Sequence, residues 1–262
     1  MKNLFNGSRL ALLLKRDFYI QYKTYLLALS AIFCVLLVFN FLAIATGQAD
    51  GFNLVFYPLT LFIGGFLFTS LAFQELATAR GRMFYVNIPA SNFEKILSKL
   101  FITGPCYVIV SLLLYFIFSL LVYILTNLVL KTAHPVFNPL QKSIWHAIQV
   151  YLVLHSVFLL GSISFKKNAL LKTILALSGL GLFLLLFLAL VLYSFHFFIS
   201  LGEQYYISFR IFDIHLHENM AVPVGLSRIG QTIQSFIHIF FWYLLAPLMW
   251  LVSYFKLKEI EV

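Results

Sequence analysis

Hydrophobic residues in this chain come in long uncharged runs rather than in the alternation of strands or the one-sided stripes of soluble helices. Six such runs can be marked: Tyr25–Ala45, Phe52–Phe73, Leu100–Leu130, Ser143–Phe165, Thr173–Gly202 and Ile229–Phe255. Each reaches or exceeds the roughly 20 residues that a helix needs to cross a bilayer core of about 30 Å. The pattern predicts an all-α integral membrane protein with six transmembrane helices in a single domain spanning residues 1–262. Ala43 and Ala45 imitate a small-residue cleavage site. The apolar run and the stretch before it are longer than in a signal peptide, so the first run reads as an uncleaved span. Gly64 and Gly65 in the second run leave space for a neighbouring helix, and Gly104 with Pro105 predicts a kink at the start of the third. The third run exceeds what a perpendicular helix needs, so it is expected to tilt or protrude.

Polar positions are concentrated between the runs. The longest such passage, FQELATARGRMFYVNIPASNFEKILSKL from Phe73 to Leu100, separates the second and third spans. Within it, Ser91 is a good helix N-cap, and Glu94 three residues later completes the sequence of a capping box. Pro89 stops whatever precedes it and holds Ile88 out of the helical region. Residues 74–99 therefore read as the tail of one helix, a break at Gly81, a short extended piece and a new capped helix that runs on into the membrane. The first 24 residues offer Leu10, Leu13, Leu14 and Phe18 for an apolar face and Arg9, Lys15 and Arg16 for lipid head groups, which predicts an interfacial helix before the first span. Glu203–Arg228, between the last two runs, is a mixed stretch with aromatics and both charge signs.

Composition agrees with the class: 62% of residues are hydrophobic and only 10% charged, with a mean hydropathy of +0.96. The net charge of +9 would point to nucleic acid in a soluble chain, but these basic residues cluster beside apolar runs. Anionic head groups and the positive-inside rule account for them without nucleic acid. Five Lys and Arg precede the first span, four lie in the loop after the second, three follow the fourth and two lie in the tail, so fourteen share one side and four the other. That bias places both termini and the 74–99 loop in the cytoplasm, as expected of a multi-pass protein of the bacterial inner membrane.

Catalytic patterns are missing. The chain has no G-x-x-x-x-G-K-[ST], no H-E-x-x-H and no G-x-S-x-G, so it is not expected to be an enzyme or to hold a nucleotide or other cofactor itself. Cys34 and Cys106 lie in apolar runs and read as small buried hydrophobes. His155, midway along the fourth span, is a candidate for the translocation path. A neutral imidazole bonded between helices, with Gln149 or Ser156 nearby, is the plainer expectation. His146 and His238 are discounted in the same way. His215 and His217 with Glu218 could face a metal only on a strand, and no third histidine or cysteine accompanies them, so no metal site is expected.

A basic N-terminus, six spans, both ends on one side and a first cytoplasmic loop containing Phe73-x-Glu75-Leu76, Ile88-Pro89-Ala90-Ser91, Glu94-Lys95 and Ser98-Lys99 resemble the ABC type 2 transporter permeases. The resemblance implies a permease subunit of an ATP-driven exporter. ATP would be bound by a separate ATPase subunit, and a second permease subunit, identical or not, would complete the path. It makes residues 1–24 an elbow on the membrane surface, residues 74–99 a cytoplasmic coupling loop and residues 197–234 an extracytoplasmic segment. Glu75, Arg80, Arg82, Pro89, Ser91, Glu94, Lys95 and Lys99 become the expected ATPase contacts. The apolar spans favour a hydrophobic, lipid-like or peptide substrate. A membrane sensor or assembly subunit that relays ATPase motion without passing substrate fits the same pattern, and a membrane-embedded enzyme ranks third because paired polar residues within the spans are few.

Overall fold

The computed structural model describes residues 5–45, 52–129, 136–165, 167–199 and 235–261, and no strand occurs among them. Helices follow one another along these residues: α1 (Gly7–Ala45), α2 (Phe52–Leu71), α3 (Ala79–Val86), α4 (Asn92–Phe101), α5 (Tyr107–Val129), α6 (Lys142–Ser164), α7 (Ala169–Ile199) and α8 (Leu245–Glu261), with residues 235–239 also helical ahead of a π-helical turn, Phe240–Leu244, that leads into α8. Five stretches are long and apolar enough to cross a membrane: Phe52–Leu71, Asn92–Leu128, Lys142–Ser164, Ala169–Leu190 and Ser235–Ile260. Together they mark a multi-pass membrane protein. A shorter apolar helical stretch, Ser30–Asn40, lies within α1.

Several sequence expectations are corrected. The interfacial helix and the first run are one uninterrupted helix of 39 residues, about 58 Å long. No Gly or Pro lies between Ser8 and Ala45, so nothing in the backbone chemistry bends the chain at residue 24. Gly81 does not break a helix either. It sits in the first turn of α3, where its N–H donates to the Thr78 hydroxyl at 3.1 Å, and an added Cβ would collide with the Glu75 carbonyl. The expected kink at Pro105 takes the form of a π-helical turn, Ile102–Cys106, that joins α4 to α5. Proline lacks the N–H an α-helix needs, and a widened turn re-pairs neighbouring carbonyls. The tail after Phe255 stays helical to Glu261. Cys34 is exposed and Cys106 half-buried, rather than both buried, and neither is in a disulfide.

The chain divides into two compact units, Met1–Thr173 with Leu245–Val262, and Ile174–Leu244. In the second unit the side chains from Leu180 to Leu190 are exposed all round, as suits an apolar helix facing lipid. The first unit holds two cores. One is aromatic and joins α2, α5 and α6 through Tyr57, Tyr107, Tyr115, Tyr151, Phe118 and Phe137. The glycines of α2 accommodate side chains rather than a helix backbone: Gly64 faces the Tyr107 hydroxyl and Gly65 the Tyr151 ring. The other core lies at the charged end, where Phe73, Leu76, Tyr85 and Ile96 meet Leu159 and Ile163 of α6 and Leu257 of α8. Asn168, at a φ of 53°, turns the short link between α6 and α7, a backbone region that Asn tolerates better than most residues.

Candidate functional site

The polar passage between α2 and α5 folds into a compact element. After α2 the chain makes a 3-10 turn, Gln74–Ala77, then α3, a tight turn through Pro89, and α4. The expected capping box is present. The Ser91 hydroxyl accepts from the Glu94 N–H at 3.2 Å, and the Glu94 carboxylate accepts from the Ser91 N–H at 2.9 Å. The second carboxylate oxygen of Glu94 reaches a different helix end. It accepts from the Asn6 N–H at 2.7 Å and pairs with Arg9 at 3.0 Å. Asn6 caps α1, with its side chain accepting from the Ser8 N–H, so one buried anion serves the positive N-terminal ends of two helices.

About two turns further along, Asp17 of α1 meets α4 again. Its carboxylate accepts from the Ser98 hydroxyl at 2.9 Å and pairs with Lys99 at 3.1 Å and Arg16 at 3.0 Å. Arg16 also bonds Glu75 at 2.7 Å, and Glu75 lies 3.8 Å from Lys99. The group of Arg16, Lys99, Asp17 and Glu75 is electrically balanced. Asp17 and Lys99 are almost fully buried, so each depends on the other for solvation. Lys95 is buried too, donating to the Val86 carbonyl at 3.4 Å and lying 5.2 Å from the centre of the Tyr85 ring. Val86 is the last residue of α3, where a cation complements the exposed carbonyls.

The expected contact residues are thus distributed unevenly. Glu94, Lys95 and Lys99, expected from the resemblance to meet an ATPase, are buried within the protein; Glu75, Arg82 and Ser91 are half-buried; Arg80 and Pro89 are exposed. The face turned outward is apolar: Met83 is 69% exposed, Phe84 63% and Phe93 50%. Arg80 lies over the Phe84 ring at 5.8 Å. Asp17 was missed as a site residue, and so was the bond Ser98 makes to it, whereas Asn6 stands where a helix start at Asn6, Gly7 and Ser8 is expected from the sequence. Asp17 carried a signal, because it is the only acidic residue before Asp50 and falls at helical spacing from Leu10, Leu13 and Leu14. A charge on an apolar stripe beside a membrane calls for a partner inside the bundle.

His155 is 1% exposed and joins α6 to the π-turn. Its Nε2 lies 2.8 Å from the Thr103 hydroxyl, which also donates to the Lys99 carbonyl at 2.8 Å. A hydroxyl has one proton, so keeping both bonds requires the imidazole to donate from Nε2. Gly104 lies beside the ring, with an added Cβ at ordinary contact distance from it, and the Tyr151 hydroxyl donates to the Thr103 carbonyl at 2.7 Å. The partner of His155 is therefore Thr103 rather than Gln149 or Ser156; the Ser156 hydroxyl donates to the Val153 carbonyl. His146 and His238 are exposed. Residues 200–234, including His215, His217 and Glu218, lie outside the described residues; among the described residues no cluster of metal-ligating side chains occurs.

No family model, curated protein or solved structure matches the chain.

Proposed function

We propose that the chain is the membrane-spanning permease subunit of an ATP-driven exporter of the ABC type 2 class, working with a separate ATPase subunit and a second permease subunit. The observation that carries this reading is the α3–α4 element. It is short and capped, tied by buried charges to α1 and by apolar packing to α8, and it presents Met83, Phe84 and Phe93 outward with Arg80 beside them. With no nucleotide motif of its own, the chain would draw ATP-derived work from a partner's motion, and an element anchored to both the first and the last helix can carry that motion inward. On this reading α1 supplies the first of six spans and both termini are cytoplasmic in a bacterial inner membrane, as the lysine and arginine bias favours. The ATPase contact centres on the exposed apolar surface, with Arg80 and Pro89 from the expected set, while Glu94, Lys95 and Lys99 hold the element in shape. The cargo is hydrophobic, lipid-like or peptide.

The second reading, a sensor or assembly subunit that passes no substrate, is favoured by the close aromatic packing between α2 and α6, where Phe66 stacks on Phe158 at 4.0 Å and on the buried Tyr151 at 6.0 Å. A photo-crosslinking amino acid at position 84, used in native membranes, tests the contact shared by both readings. The expected adduct is a chain with a nucleotide-binding P-loop, absent when the probe is moved to Leu128. Adducts with lipid alone would overturn it.

A further inference from the structure

A cavity of about 300 Å³ lies between the ends of α2 and α6 and the start of α7, enough space for about ten waters. Its lining has two characters. Leu67, Leu71 and Phe165 give it an apolar wall, Gln74, Lys167 and Asn168 add polar groups, and among the described residues no acidic one lines it. Lys167 is exposed and has no ion pair among the described residues, whereas Arg9, Arg16 and Lys99 are all paired with carboxylates.

We propose that this cavity binds the head group of an anionic phospholipid, with Lys167 as its charge partner. The cavity sits where three membrane-grade helices end or begin, which is the depth of lipid head groups. Its apolar wall continues the lipid-facing surface of α2, so glycerol and the upper acyl chain have a place beside a phosphate held at Lys167. Basic pockets between transmembrane helices recognise acidic head groups through this combination of charge and apolar wall. α7 begins at Ala169, which with Leu170 is in the lining, so the positive end of this helix lies at the cavity as well. A free anion could use the charge but not the wall. The inference stands whether or not the chain is a permease.

Native mass spectrometry of the full-length protein, released from nanodiscs of phosphatidylglycerol and phosphatidylcholine in equal parts, tests it. The wild type is expected to retain phosphatidylglycerol in preference. Lys167→Glu should weaken that retention about fivefold or more, and Ala77→Phe, which fills the cavity without touching its charge, should do the same. Lys258→Glu, an exposed lysine of α8 that does not line the cavity, should leave it unchanged. Equal loss in Lys167→Glu and Lys258→Glu would mean general surface charge, and no preference between the two lipids would mean no site. Full competition by millimolar inorganic phosphate would mean a free-anion site. Each of these outcomes overturns the proposal. Ala77→Phe keeps the test valid if the charge reversal fails to fold.

Discussion

Replacing Asp17 by Asn tests the join between α1 and α4. The change removes one charge from a pair whose side chains are 4% and 3% exposed, leaving the Lys99 ammonium buried. Breaking a buried ion pair in this way costs about 3–5 kcal/mol when nothing else compensates. Here Glu75 remains 3.8 Å from Lys99, Arg16 is exposed enough to rehydrate, and Asn keeps an oxygen for the Ser98 hydroxyl. The expected cost is therefore about 2–3 kcal/mol, confined to the α1–α4 contact. Local opening of that size speeds exchange of the α4 amides by about 30- to 150-fold. Hydrogen exchange read by mass spectrometry on peptides covering residues 92–101, in nanodiscs at fixed pH, measures it. Adding Lys99→Met removes the stranded ammonium and should return exchange to within about fivefold of wild type. Exchange in Asp17→Asn within about threefold of wild type would refute the reasoning, as would a double variant that opens as fast as the single one.

Other expectations follow from single contacts. Gly65→Ala drives a Cβ into the Tyr151 ring and should cost about 1–3 kcal/mol, seen as a lower thermal midpoint that a smaller residue at 151 partly restores. Ser91→Ala removes the cap of α4 and should cost about 1 kcal/mol, with faster exchange at the start of α4, while Ser91→Asp should retain most of the protection. Thr103→Val leaves His155 without its hydroxyl partner and should cost about 1 kcal/mol, whereas Thr103→Ser should be close to neutral on the same thermal scan.

Much of the architecture was readable because the membrane sets a simple length rule. The fourth run was placed within one residue of α6 at each end, and the capping box of Ser91 and Glu94 was read directly from spacing. The orientation of α4 was not. Its residues 94, 95, 98 and 99 form a polar stripe, which in water would face outward. Beside lipid the stripe turns inward to Asp17, Asn6 and Arg9, and Phe93 and Phe101 face out. That reversal needs a partner distant in sequence, and Asp17 lies 81 residues from Ser98. The continuity of α1 was masked by its change of composition from basic to apolar, although a change of composition does not bend a helix. The partner of His155 could not be read either, since nothing local links it to Thr103 across 52 residues.

Co-purification tests the central claim most directly. Tagged protein is drawn from mildly solubilised native membranes, and ATPase activity is assayed in the eluate for wild type and for Met83→Asp with Phe84→Asp. Both positions are well exposed, so the double variant should keep wild-type exchange in α4. The account predicts ATPase activity with the wild type and its loss with the double variant. No ATPase with the wild type in several mild detergents, or full retention by the double variant, would contradict it.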